Sequence, residues 1–81
     1  MITNYFNADV LKVNPSRLCK EKVAKAFKNM PKNYLEILIH HYPEYNTIAG
    51  GYLISNVRAC RTADQRLTDI FVDIANGKLT L

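Results

Sequence analysis

Apolar residues recur along this chain at helical spacing, i, i+3, i+4, i+7, and no stretch shows a convincing two-residue alternation. Four helical segments follow from that pattern. The first opens at Asn14-Pro15, a capping residue followed by proline at a position where its missing N–H costs nothing. It is expected to run to about Asn29, burying Cys19, Val23, Ala26, Phe27 and Met30, until Pro31 ends it. The second begins at Asn33, with Glu36 completing a capping-box pattern. Leu35, Leu38, Ile39 and Tyr42 form its apolar stripe, Ile37 widens it, and Pro43 stops it.

Residues 43–51 read in two ways. They form either a short helix closing at Gly50-Gly51, or a loop leading into a helix capped by Asn46 or Thr47. Each glycine weakens a helix interior by about 1 kcal/mol relative to alanine, so a turn is expected at the pair. A third helix then spans 52–60, with Leu53, Ile54, Val57 and Cys60 on its inner side. The fourth starts from a Thr62/Gln65 capping pattern with Asp64 in its first turn. It buries Leu67, Ile70, Phe71 and Ile74 and stops at Asn76-Gly77. Residues 78–81 are a tail. Residues 1–13 are a short helix from Ala8 to Val13 or an extended arm, the helix being favoured. The expected class is all-α: a compact single domain of four or five helices covering 1–81.

Charge adds an asymmetry. The chain has 81 residues and a net charge of +4. Residues 1–42 carry seven Lys/Arg against three acids, and residues 43–81 carry four against four. Lys20, Lys22, Lys25 and Lys28 lie mostly off the buried stripe of the first long helix, which becomes a basic face suited to phosphates or an acidic protein. The two cysteines, Cys19 and Cys60, fall on apolar helix faces and read as buried thiols of a reducing, cytoplasmic setting. The N-terminus shows no secretory pattern, and no apolar run approaches the ~20 residues needed to cross a bilayer.

Candidate chemistry concentrates at 52–61. The outer side of that helix carries Tyr52, Ser55, Asn56, Arg58 and Arg61. Arginine can hold guanine, and asparagine adenine, through paired hydrogen bonds, while Ser and Tyr suit phosphates. The segments ISNVRACR and TADQRLTDIFVDIA, within residues 44–75, resemble the second half of a lambda-repressor/Cro-like helix-turn-helix. With Gly51 at the turn, Val57 and Cys60 fall on the family's buried positions, although Thr47 stands where the family usually has alanine. The resemblance implies a helix-turn-helix-like C-terminal half, with Ser55, Asn56, Arg58 and Arg61 facing double-stranded DNA. It implies a transcriptional regulator of bacterial or phage type, acting as a homodimer. The alternative is an inhibitor or adaptor that docks its basic helix on an acidic partner.

No metal or other cofactor is expected. His40 and His41 are adjacent, so their side chains diverge by about 100° around a helix. No nucleophile motif or phosphate-binding glycine loop occurs, so an enzyme is not expected. Asp69 and Asp73 read as a wet helix face. Tyr34, Tyr42, Tyr45 and Tyr52 read as edges of a small core rather than as interface anchors.

Overall fold

The computed structural model describes residues 15–81, so the expectations for residues 1–13 and for the Asn14 cap lie outside the described residues. Those described form four α-helices, one 3-10 turn and no strand. They are α1 (Pro15–Ala26), α2 (Tyr34–His41), the 3-10 turn Pro43–Tyr45, α3 (Ile48–Arg58) and α4 (Gln65–Ala75). The all-α expectation is therefore met.

Helix α1 buries Cys19, Val23 and Ala26, with Phe27 and Met30 half-buried against the core, as the spacing predicts. It stops at Ala26, three residues short of the expected Asn29. The Lys28 and Asn29 N–H groups bond the carbonyls of Lys25 and Ala26, both at 3.2 Å, which tightens the chain into a turn.

Helix α2 departs from expectation twice. Asn33 has φ −92° and ψ 27°, not the extended backbone a capping side chain needs, and its side chain makes no cap bond. Its phase is also rotated. Tyr34, Ile37 and Leu38 are buried, whereas Leu35 is 46% exposed. Aromatic packing accounts for the rotation. The Phe27, Tyr34 and Phe71 rings meet edge to face, with centroids 5.1, 5.0 and 6.1 Å apart, and Tyr34 must point inward to join them.

The turn expected at Gly50-Gly51 does not form, and both glycines lie inside α3. The loop-to-helix alternative is the observed one. Thr47, in extended conformation, caps α3 by accepting from the Gly50 N–H at 2.9 Å. Gly50 is present for room, not for bending. A β-carbon there would lie 2.3 Å from the Tyr45 carbonyl oxygen.

Helix α3 ends in a Schellman arrangement. Arg61 N–H bonds the Asn56 carbonyl and Cys60 N–H bonds the Val57 carbonyl. Cys60 holds the left-handed position at φ 61°, which glycine usually takes. Helix α4 is capped by Asp64, not Thr62. The Asp64 carboxylate accepts from the Leu67 N–H at 2.8 Å, and the nearer aspartate takes the role assigned to threonine. The predicted stripe of α4 is buried, together with Thr68, whose hydroxyl donates to the Asp64 carbonyl. Gly77 at φ 77° closes the helix as expected.

Helices α1 and α4 run side by side in the same direction. Cys19 meets Gln65 near their starts, Phe27 meets Phe71 further along, and Asn29 and Asn76 lie together just past their ends. Between them, α2, α3 and the 3-10 turn supply the rest of the core: Tyr34, Ile37, Leu38, Tyr45, Ile54 and Val57.

Candidate binding surface

Three of the side chains expected to face DNA make contacts within the fold, and two of them, Arg58 and Arg61, are exposed to solvent. The Arg58 guanidinium lies over the Phe27 and Tyr34 rings, 5.4 Å from each centroid. Asn56 is half-buried, and its side-chain oxygen accepts from the Arg61 Nε–H at 3.2 Å. The cause is local. Guanidinium groups stack on aromatic faces and pair with planar acceptors, and both lie within reach where α3 ends. Of the proposed reading residues, Tyr52 (70% exposed), Ser55, Arg58 and Arg61 are all exposed, and Tyr52 and Ser55 take no part in the ring stacking or the Asn56–Arg61 bond. Gly51 lies in the first turn of α3.

Arg66 repeats this behaviour on α4. It lies over the Tyr42 and Tyr45 rings, 5.4 and 5.2 Å from their centroids, and pairs with Glu44. Glu44's own backbone N–H, and then the Arg66 side chain, hold its carboxyl below the usual range. The Glu44 hydrogen bond in turn raises the Arg66 pKa.

The lysines behave differently. Lys22, Lys25 and Lys28 are exposed, and Lys20 is half-buried. The ion pairs among the described residues are Arg17–Glu21 and Arg66–Glu44, so none of these four lysines has an acidic partner there. Lys22 and Lys25 wall a groove of about 340 Å³ between α1 and α4. Ala26, Val72 and Ala75 form its apolar floor, Asp69 stands on the opposite wall, and Asn29 and Asn76 close one end. The Asp69 carboxylate accepts from the Gln65 side-chain amide at 2.9 Å. Sequence reasoning assigned the lysines but missed the α4 wall. Its one signal was Val72, an apolar residue off the Leu67–Ile74 stripe and left half-buried.

The His40 and His41 rings meet edge to face, with centroids 5.1 Å apart, and His41 Nε2 lies 2.6 Å from the Thr80 carbonyl oxygen. Among the described residues no group of three or more His, Cys, Asp or Glu side chains could hold a metal. Of the four tyrosines near the centre, Tyr34 and Tyr45 are core residues and Tyr42 is half-buried. No helix among the described residues is long and apolar enough to cross a membrane. No known family matches the chain, and no curated protein or solved structure is significantly similar to it.

Proposed function

We propose that this chain works by binding rather than by catalysis, as a small module that docks the basic face of α1 on an acidic protein surface. One observation carries the reading. Lys22 and Lys25 of α1 have no acidic partner among the described residues and stand beside an apolar-floored groove, whereas the exposed Arg58, Arg61 and Arg66 side chains are each held by rings or polar groups of the fold. A hydrated ammonium held at the rim of an apolar patch suits an acidic partner, and exposed cations speed its approach. Both cysteines are free thiols, which fits work in the reducing cytoplasm.

A second reading keeps the chain as a DNA-binding regulator of bacterial or phage type, acting as a homodimer. The exposed Tyr52 and Ser55 favour it, with the α1 lysines as phosphate contacts.

A gel shift of the intact chain on random-sequence duplex, at low and moderate salt, separates the two. The docking reading expects no shift even at low salt. It also expects simultaneous Lys22→Glu, Lys25→Glu and Lys28→Glu to abolish partner capture from the native host, while Arg58→Ala preserves it. A shift on duplex DNA that survives moderate salt and depends on Tyr52 would overturn the docking reading.

A further inference from the structure

We propose that the groove between α1 and α4 seats an acidic amphipathic helix of a partner protein, lying antiparallel to both helices with an aliphatic side chain on the Ala26–Val72–Ala75 floor. This rests on the docking reading above and specifies its site and occupant.

The groove selects by shape first. Its floor consists of small and branched apolar residues, and about 340 Å³ of open space accepts one or two aliphatic side chains but no folded domain. Water on such a floor is displaced favourably by apolar atoms.

Charge then narrows the occupant. Lys22 and Lys25 are three apart on one helix, so they project side by side along one wall. Neither has an acidic partner among the described residues. Asp69 faces them from the other wall. A uniformly anionic strand such as a nucleic-acid backbone would set phosphates against that carboxylate. A helix with carboxylates along one flank of its apolar stripe, and neutral donors along the other, satisfies both walls.

The parallel course of α1 and α4 sets the direction. Both C-termini, with their carbonyl ends, lie at the Asn29–Asn76 end of the groove. A third helix running the opposite way brings its positive N-terminal end there. Each such charge–dipole contact is worth about 0.3–1 kcal/mol at an exposed site.

The test uses the intact chain and a fluorescent synthetic peptide of about 14 residues, about four helical turns, which the groove would order on binding. The peptide has leucines at i, i+3, i+4 and i+7, glutamates along one flank and glutamines elsewhere. A scrambled peptide of the same composition and a random DNA duplex are the controls. Anisotropy should show binding of the striped peptide alone. Lys22→Glu with Lys25→Glu should weaken it at least about tenfold. Ala75→Met, which fills the floor, should do the same while circular dichroism reports unchanged helix. Lys20→Glu with Lys28→Glu, outside the groove, should cost less than about threefold.

If striped and scrambled peptides bind alike, and reversal at Lys20 and Lys28 costs as much as at Lys22 and Lys25, the groove proposal fails and the basic-face reading stands. Binding of the striped peptide that ignores both groove variants also overturns the groove. If no acidic peptide binds and the duplex does, both readings fall.

Discussion

The lysines of α1 and the arginines of α3 and α4 behave differently, and the difference is one of chemistry as well as of place. On α1, the exposed lysines reach no acid among the described residues. On α3 and α4, Arg58 and Arg66 each lie over two aromatic rings, and each spans elements far apart in sequence. Arg58 ties the end of α3 to the α1–α2 turn, and Arg66 ties α4 to the 3-10 turn. The planar, weakly hydrated guanidinium gains from lying flat on a ring, whereas the ammonium keeps its water and stays at the surface. Counting positive charges along the chain therefore overstates what is free to meet a partner, and overstates it most where arginine and tyrosine occur together.

This contrast can be broken most severely from the structural side. Gly50→Ala places a methyl group 2.3 Å from the Tyr45 carbonyl oxygen, so the 3-10 turn and the start of α3 cannot both keep their places. A loss of about 3 kcal/mol is expected in urea unfolding. Gly51→Ala, one residue on and open to solvent, is the control and should stabilise slightly.

A finer test compares one cation from each region. Arg58→Ala should cost about 1–2 kcal/mol, because it removes a guanidinium from two rings and uncovers their faces. Lys25→Ala should fall within about 0.5 kcal/mol of zero. Equal losses would erase the distinction between structural arginines and free lysines.

The smallest effect is one of pH. The Glu44 pKa is lowered in the folded state, so its contribution is fully present above the unfolded carboxylate pKa, ~4.3. That contribution is lost as the pH falls through the depressed folded value. Acid unfolding of the native chain should therefore steepen below about pH 4, and Glu44→Gln should flatten that part of the curve. Identical acid limbs would show that the Arg66–Glu44 pair adds nothing. A small effect is expected, because both groups are exposed.

Much of the fold was legible along the chain. The buried residues Cys19, Val23 and Ala26 of α1 and Leu67, Ile70, Phe71 and Ile74 of α4 were legible, as was the Gly77 stop, because periodicity and a left-handed glycine are local properties. The candidate site was legible only in part. The lysines could be assigned because an amphipathic helix declares its polar side. The engagement of Arg58 could not, because it depends on the Phe27 and Tyr34 rings, which distant parts of the chain place.

The order and type of the helices, the basic character of α1 and the inner residues of α4 belong to the sequence alone, since each follows from interactions a few residues in range. The phase of α2, the role of Gly50 and the apolar floor of the groove were decided by tertiary contacts. The reason is common to all three. Tyr34 turns inward to meet Phe27 and Phe71, Gly50 makes room for a carbonyl five residues back, and Val72 becomes a floor residue only where α1 lies alongside. None of those neighbours exists until the chain has folded.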